Sequence, residues 1–405
     1  MKEELEKQLE KIKRKAKHAL SKKAAYGPDI DLTLYIKSRG EAVKLEDYEE
    51  KLMNVGIELS SKSRAASYFQ VDNIALNTYS STDEIELTSL STAIRENEDL
   101  ILNYYWKAVP VDLDKYTAIA ELAGGEGYVI VAHKDARIKR PIQTCLLLHK
   151  PKLIQAPHNI IVAEENSEIH IVTGCLTSLG AEGLHAGVTE IYVKKNATVT
   201  YTMIHNWSRK IHVRPRTAAI VENGGKLILH YINMSPIASL QSYPKIELIG
   251  AESKAYTSSI LIGRESSLLD LGSCIILSGE RTSGEVVSRI IATDSSKVIS
   301  RAKLVGEARN VKGHIECSGL LLTNKAKITT IPELEAKVSE LQLTHEAAVG
   351  RISEEEVIYL MARGFTRREA ESMIVRGFME VSIKDLPNSL IKRIQKVLDL
   401  VAEKL

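Results

Sequence analysis

The sequence predicts a mainly β protein with a parallel β-helix core and helical segments at both ends of the chain. Two observations carry this prediction. Between about Tyr128 and Ile352, short runs rich in β-branched residues are separated by small polar turns, with almost no sustained helical periodicity. A turn signature recurs through this region at a nearly constant spacing, whereas the flanking segments show the periodicity of amphipathic helices.

The recurring signature is a polar turn followed by an apolar residue. A near-constant period of this length is typical of stacked architectures, in which each unit needs neighbours to bury its apolar face. A β-sandwich is the competing all-β fold, and the regular period favours the solenoid. The small residues of the signature, at intervals of 31, 30, 28, 28, 43 and 30, are Ala136, Ser167, Ala197, Gly225, Ser253, Ser296 and Ala326, and a further match at Ser266 divides the 43 into 13 and 30.

The first 125 residues are predicted to form a mixed, largely helical region. An amphipathic helix is expected within residues 1–23, where nine basic and four acidic residues surround an apolar stripe. We interpret this basic surplus as a solvated helix face, with contact to RNA or anionic lipid as the alternative. A weaker helical pattern spans residues 42–55, and a third runs from Leu87 to Tyr105.

After Arg351 the periodicity becomes helical again. The predicted division is therefore an N-terminal region over residues 1–125, a β-helix core over 126–352 and a C-terminal helical domain over 353–405. A last helix is expected from about Asn388. Two capping-box spacings and two helix-ending glycines mark the shorter helices before it, namely Ser353 with Glu356, Gly364, Thr366 with Glu369, and Gly377.

Composition restricts the function further. The 405 residues are 44% apolar and carry a net charge of +2, which favours neither nucleic acid nor an acidic surface as a partner. No apolar run reaches the length of a membrane span and no secretory signal is recognisable, so a cytoplasmic location is expected. Four cysteines without a CxxC pair are too scattered for a disulfide framework or a zinc ribbon.

Cys317 and the doublet His345-Glu346 are the candidate metal ligands. A soft thiolate combined with an imidazole and a carboxylate suits iron. The doublet follows Cys317 at close to one repeat period, so a solenoid would place it near Cys317 on the next coil. Since adjacent strand residues face opposite ways, only one of the two can share the face of Cys317. A buried inert cysteine and a surface His-Glu pair are the structural alternatives.

The other candidate residues are expected to have structural roles. Cys145 and Cys175 are separated by about one repeat period, so their sulfurs could stack one coil apart. We predict packed core residues first and a redox or sulfur-handling pair second. Cys274, His205 and Trp207 are expected in the core. The glycine-rich run at residues 124–127 lacks the lysine and hydroxyl residue of a nucleotide-binding loop, so any ATP hydrolysis would come from a partner.

Several segments resemble those of a known family, the SufB/SufD group of β-helical scaffold subunits in SUF iron-sulfur cluster assembly. The chain is most similar to compact archaeal SufB-type members. The resemblance runs from about Tyr104 to Phe378, and the first hundred residues match only loosely. The segments that carry it are 104–108, 171–175, 184–190, 203–207, 313–322, 345–352, 359–364 and 374–378.

The resemblance implies a right-handed parallel β-helix that acts as a scaffold without catalysis of its own. It implies a homodimer, or a SufB/SufD-like heterodimer, formed along the C-terminal coils, with iron and sulfur donors and apo-protein acceptors as further partners. The C-terminal domain would dock on a SufC-type ABC ATPase. The residues matching that docking segment are Tyr359, Arg363, Gly364, Arg376, Gly377 and Phe378.

Cys317, Glu346 and His345 match the positions implicated in forming a transient iron-sulfur cluster, expected to be of the 4Fe-4S type, and Cys175 is the best match to a sulfur-accepting cysteine. Many bacterial members carry a further cysteine where residues 213–218 have none, which argues against their route of sulfur delivery. The alternative function is a β-helical enzyme, with Cys317 and His345 as a nucleophile pair or with a carbohydrate groove. Aromatic residues form only 5% of the chain, which disfavours the groove.

Overall fold

A computed structural model of the protein describes residues 2–41, 43–60, 64–178 and 180–380. It is a mainly β fold, a β-solenoid of about eight turns with helices at both termini, as the sequence predicts. Strands from successive coils pair in parallel, which decides for the solenoid and against the sandwich. The predicted last helix from Asn388 lies outside the described residues.

Twenty-three strands build the described part of the solenoid. In chain order they are β1 Ala66–Val71, β2 Ile74–Ser80, β3 Ile85–Ser89, β4 Tyr128–Ala132, β5 Ile142–Leu148, β6 Leu153–Gln155, β7 His158–Ala163, β8 Glu168–Thr177, β9 Glu182–His185, β10 Val188–Val193, β11 Thr198–Asn206, β12 Lys210–Val213, β13 Arg216–Val221, β14 Lys226–Asn233, β15 Ser239–Ser242, β16 Lys245–Leu248, β17 Lys254–Gly263, β18 Leu268–Leu277, β19 Ser283–Ala292, β20 Lys297–Gly306, β21 Val311–Leu321, β22 Lys327–Ala336 and β23 Leu341–Arg351.

These strands form two sheets. Sheet 1 has the order β2-β1-β5-β8-β11-β14-β17-β19-β21-β23. Sheet 2 has the order β3-β4-β7-β10-β13-β16-β18-β15-β12-β9-β6, with β20 on β18 and β22 on β20. Each early coil contributes two short strands to sheet 2, whereas β18 is one long strand that pairs with both β15 and β16.

Helices in the described residues are α1 Lys2–Ala19, α2 Glu49–Met53, α3 Leu90–Glu96, α4 Glu98–Tyr104, α5 Lys115–Leu122, α6 Glu354–Ala362 and α7 Arg367–Glu380, with short 3-10 turns at Leu32–Leu34 and Leu45–Tyr48. The first predicted helix is present as α1. The weaker pattern over residues 42–55 gives only α2 and a 3-10 turn, and Leu87 belongs to β3, not to a helix. Gly377 lies inside α7 and does not end it.

The repeat has its physical origin at one corner of the solenoid, where the chain passes from sheet 2 into sheet 1. One residue per coil there has a φ between 56° and 66°, the left-handed region that favours Gly, Asn and Asp. The Asn166 side chain donates to the Asp135 carboxylate at 2.8 Å, and Asn196 donates to Asn166 at 3.3 Å. The corner residues are Asp135, Asn166, Asn196, Gly224, Glu252, Arg281 and Asn310.

The interval of 43 in the repeat is explained by a change of corner. The signature follows the first corner as far as Ser253, which precedes β17 of sheet 1. From Ser266 onward it follows the opposite corner, where the chain passes from sheet 1 into sheet 2, because Ser266 precedes β18 and Ser296 precedes β20. The long interval is therefore one coil plus about half a coil.

Three apolar clusters hold the fold together. The largest fills the interior between the two sheets. A second packs α1, α3, α4 and α5 on the outer face of sheet 2, and a third packs α2 and α7 on the outer face of sheet 1. Strands β1 to β3 also belong to the sheets, since β1 pairs in parallel with β5 and β3 pairs antiparallel with β4. The last strands, β22 and β23, are mostly exposed and form an open end.

We expect Gly224→Ala to lower the free energy of unfolding by about 1–2 kcal/mol, the cost of placing a β-carbon in the left-handed region. The added atom would also lie 2.3 Å from the Asn196 Oδ1, so the corner ladder would have to shift. Urea unfolding followed by circular dichroism measures the change. Gly350→Ala is the control, because an added β-carbon there meets no atom within 4 Å. Equal midpoints for the two variants would contradict the role given to the corner.

Candidate metal and sulfur centre

Cys317 lies on β21 and belongs to the interior core, as does Ile315 two residues before it. Its neighbours in register are Ser288 on β19 and Ala347 on β23. The side chain is 5% exposed. The parallel ladder thus places one sulfur inside the solenoid, one coil before its open end.

The Cys317 thiol donates a hydrogen bond across the interior to the Ser300 hydroxyl oxygen of β20, at 3.3 Å. Burial raises the pKa of Cys317, and this effect outweighs the opposite influences of Ser300 and the nearby Arg289 guanidinium. Cys317 is therefore a protonated thiol at neutral pH in the isolated chain. A raised pKa is the opposite of what activates a cysteine nucleophile.

His345 and Glu346 on β23 lie on opposite faces of sheet 1. His345 pairs in register with Ile315, so it lies on the interior face together with Cys317. Glu346 pairs with Glu316 and lies on the outer face. The structure therefore brings Cys317 and His345 to one face of neighbouring strands and places Glu346 on the other, as strand alternation requires.

The outer face beside Glu346 contains a partly buried ion pair. Arg289 forms a short salt bridge with Glu316 and donates to the Ser318 hydroxyl at 3.2 Å. Only 8% of the Arg289 side chain is exposed. Because Glu316 and Glu346 occupy neighbouring strands in register, their carboxylates repel each other, and Arg289 offsets this repulsion for Glu316.

The candidate ligands are not gathered into a metal-binding group in the described residues. Within residues 2–41, 43–60, 64–178 and 180–380, no three His, Cys, Asp or Glu side chains gather closely enough to hold a metal ion. In this part of the chain β23 pairs with β21 alone and is the terminal strand of sheet 1, so one of its edges presents unpaired backbone groups. His345 and Glu346, both exposed, lie on this edge strand.

Cys175 lies on β8 and is fully buried in the interior core. Burial raises its pKa well above the ordinary value, with Cys145 adding to the effect. The two sulfurs are not stacked, however. The register between β5 and β8 pairs Cys145 with Gly174 and Leu146 with Cys175, so Cys145 belongs to the outer cluster of sheet 1.

A buried aromatic and imidazole group adjoins Cys175. His205 is its register partner on β11, and the rings of His205 and Trp207 lie 5.5 Å apart, with His185 4.9 Å from Trp207. The His205 Nδ1 contacts the Tyr231 hydroxyl at 2.8 Å, but its Nε2 and the Trp207 Nε1 are buried with no hydrogen-bond partner among the described residues. The sequence predicts a core histidine and tryptophan here. The spacing of one repeat between Cys175 and His205 is the sequence signal that they lie side by side on neighbouring coils.

The predicted docking residues lie on α6, α7 and the turn between them. Tyr359 is 59% exposed and receives a hydrogen bond from Arg363 at 2.8 Å. Gly364 ends α6 with a φ of 98°. Phe378 packs against the outer apolar cluster of sheet 1, whereas Arg376 and Gly377 are exposed. Further exposed apolar side chains on this module are Ile358, Met361, Phe365 and Met373.

None of the helices assigned in the described ranges has the length and apolar character needed to cross a bilayer. A parallel β-solenoid with a buried thiol one coil before an open strand edge is the class of protein that the fold and the site define. Residues 146–378 match the family described as SUF system FeS cluster assembly, SufBD core domain. The chain belongs to this SufBD family of iron-sulfur cluster assembly proteins.

Curated relatives agree with this assignment. An iron-sulfur cluster assembly SufBD family protein of Methanothermobacter thermautotrophicus (strain Delta H) is 43% identical in an alignment of 400 positions that covers 96% of this chain and 97% of the relative. One from Archaeoglobus fulgidus is 41% identical over 361 residues, 89% and 97% of the two chains. One from Pyrococcus horikoshii is 35% identical over 309 residues, 76% and 69% of the two chains.

We expect the interior histidines to make the fold acid-sensitive. Burial lowers the pKa of His185 to about 3, whereas an unfolded histidine titrates near 6.5. Stability is therefore full above pH 6.5 and is lost as the pH falls towards 3, by about 2 kcal/mol at pH 5 from His185 alone. Urea unfolding between pH 7 and 4 measures this. A His185→Gln variant that keeps the full pH dependence would refute the assignment.

Proposed function

We propose that the chain is a scaffold subunit of a SUF-type complex, in which iron and sulfide assemble into a transient cluster, of the 4Fe-4S type, between two solenoids. One observation carries this proposal. Cys317, His345 and Glu346 lie on the last two strands of sheet 1, beside an edge that can accept a second chain. Family membership supports the involvement with iron-sulfur cluster assembly.

Cys317, His345 and Glu346 would each have a different role in binding iron. Cys317 supplies a thiolate once iron displaces its proton, His345 supplies an imidazole or accepts that proton, and Glu346 offers a hard oxygen ligand to incoming iron. Since Glu346 faces outward, it would serve iron on the outer side of β23 or reach the cluster after a rearrangement of this edge strand. Mixed ligation by few thiolates suits a scaffold that must release its cluster.

Cys175 is our candidate for sulfur handling. His205 is its register partner and lies beside Trp207, and each of these two buried rings retains a nitrogen without a hydrogen-bond partner in the described structure. Such nitrogens are suited to a polar guest such as a sulfane sulfur on the cysteine. Cys175 and Cys317 face the same interior core, so sulfur would be held out of water at both positions.

The C-terminal helices α6 and α7 are the basis for the proposed ATPase partner. We propose that α6 and α7 dock a SufC-type ABC ATPase, which would supply the ATP hydrolysis of the complex. The supporting observation is the group of exposed apolar side chains around Tyr359, an unusual surface for solvent. The cysteine and the His-Glu pair in one chain favour a SufB-type homodimer over a SufB/SufD-like heterodimer.

We place this complex in the cytoplasm, where thiols remain reduced, with iron and sulfur donors and apo-protein acceptors as transient partners and neither nucleic acid nor a membrane. The enzyme alternative lacks support from the site. Burial raises the pKa of Cys317, which disfavours a Cys317–His345 nucleophile pair. A carbohydrate groove would need exposed aromatic platforms, whereas a groove on the outer face of sheet 1, lined by residues of β14, β17, β19, β21 and β23, has the half-buried Tyr256 as the one Phe, Tyr or Trp among its described lining residues.

Cys317→Ser and Glu346→Ala are expected to slow cluster formation at least about tenfold, because each removes a ligand. Anaerobic reconstitution with ferrous iron and sulfide, followed by visible absorption, measures the rate in the complex with its ATPase. Cys274→Ser, another buried free thiol, and Glu340→Ala, an exposed carboxylate before β23, are the matched controls. Wild-type rates in both ligand variants would overturn the assignment.

Ile358→Asp and Tyr359→Ala are expected to weaken binding of the ATPase at least about tenfold. The first places a charge in the exposed apolar patch, and the second removes an aromatic ring from it. Titration calorimetry with the purified ATPase measures the affinity. Ile249→Asp is the control, because Ile249 is 49% exposed, comparable to 60% for Ile358, but lies after β16 on the solenoid. An equal loss in all three variants, or none in any, would count against docking through α6.

A further inference from the structure

A groove of about 500 Å³ crosses the outer face of sheet 1 at the N-terminal ends of β14, β17, β19, β21 and β23. The proposed function makes no use of it. We call it the lysine groove and define it by Lys226, Lys254, Lys312, Tyr256, Glu285 and His314.

The three lysines form one column across the coils. Lys226 pairs in register with Lys254, Lys254 with Ser283, and Ser283 with Lys312. Neighbouring strands are about 5 Å apart, so the first two ammonium groups lie one strand apart and the third lies two strands further on. All three side chains are exposed.

None of these lysines forms a salt bridge with a carboxylate of the described residues. Elsewhere, lysines on neighbouring coils are matched with acids, as in Lys194 with Glu222 and Lys337 with Glu307, both at 2.8 Å. Like charges in register destabilise a sheet. A column of unmatched lysines along a groove therefore favours an external anion that offsets their repulsion.

The groove recognises charge more than shape. Its cationic groups are flexible ammonium ions, no arginine is among its described lining residues, and the backbone N–H groups of its strands are engaged in the parallel ladders. Such a surface lacks the fixed donors that select a small phosphorylated molecule. Half-buried Ile228 and Tyr256 add apolar contact area, which suits a polypeptide with varied side chains.

Glu285 favours a polypeptide over a nucleic acid as the ligand of the groove. It is exposed in the groove, between Tyr256 and His314 in the neighbouring column. A phosphodiester chain carries a charge on every unit, whereas a peptide can place a neutral residue opposite this carboxylate. The groove is thus complementary to a segment in which acidic and neutral residues alternate.

We propose that the lysine groove binds an extended acidic segment of a partner protein, with carboxylates opposite Lys226, Lys254 and Lys312. The groove reaches Thr344, two residues before Glu346 on β23, so the bound segment would lie beside the candidate cluster residues. That the partner donates iron or sulfur, or accepts the cluster, rests on the proposed function, whereas the binding itself does not.

The test is fluorescence anisotropy with the full chain and a labelled twelve-residue peptide of alternating Glu and Ser. The triple variant K226Q/K254Q/K312Q is expected to bind at least about tenfold more weakly and with a shallower salt dependence. Glu285→Gln is expected to bind about two- to threefold more tightly, because it removes the repulsive carboxylate.

The matched control is K297Q/K327Q. Lys297 and Lys327 are also stacked in register and exposed, but on sheet 2 and outside the groove, and this variant should bind like the native chain. Native affinity in the triple variant, or an equal loss in the control, would overturn the proposal. Tighter binding of a twelve-nucleotide single-stranded RNA through the same lysines would overturn the choice of a polypeptide. Loss of peptide binding with intact cluster formation at Cys317 would separate this proposal from the scaffold function.

Discussion

The parallel register between coils is the constraint on which the rest of this structure depends. It pairs Thr144 with Thr173 between β5 and β8, Thr198 with Lys226 between β11 and β14, and Ile315 with His345 between β21 and β23, so the offset along the chain differs from coil to coil. A change of one position in this offset moves a side chain to the other face of the sheet. The corner residues with positive φ recur once in each coil, so the differences in offset arise in the segments between them.

The same register explains what could be predicted from the sequence. The period alone predicted that Cys317 and the His345-Glu346 doublet would meet on neighbouring coils, and strand alternation predicted that only one of the doublet would share the cysteine's face. Which one it is depends on the local offset between β21 and β23, which a mean period cannot supply. For the same reason the spacing between Cys145 and Cys175 suggested stacked sulfurs, whereas the local offset between β5 and β8 is one position shorter and separates them.

Local patterns were less informative where tertiary packing decides the structure. The Leu87–Tyr105 stripe has helical spacing, yet its first residues extend sheet 2 by pairing with β4. The segment Tyr104 to Ala108 is explained by a buried carboxylate that no periodicity reveals. Glu190 accepts hydrogen bonds from the backbone N–H groups of Trp106 at 2.7 Å and Ala108 at 2.6 Å, and contacts the His158 imidazole at 2.8 Å. This carboxylate fastens the helical layer to the solenoid.

The terminal position of β23 has a mechanical meaning. Inner strands of sheet 1 are held by ladders on both sides, but within the described chain β23 is held by β21 alone, so fewer backbone hydrogen bonds resist its displacement. Because side chains alternate, a shift of one position would turn His345 outward and Glu346 inward, and it would also turn Leu341 and Leu343, which pack against the interior cluster, to the outer face. These two leucines therefore favour the observed register, in which the imidazole lies on the inner side of the edge strand.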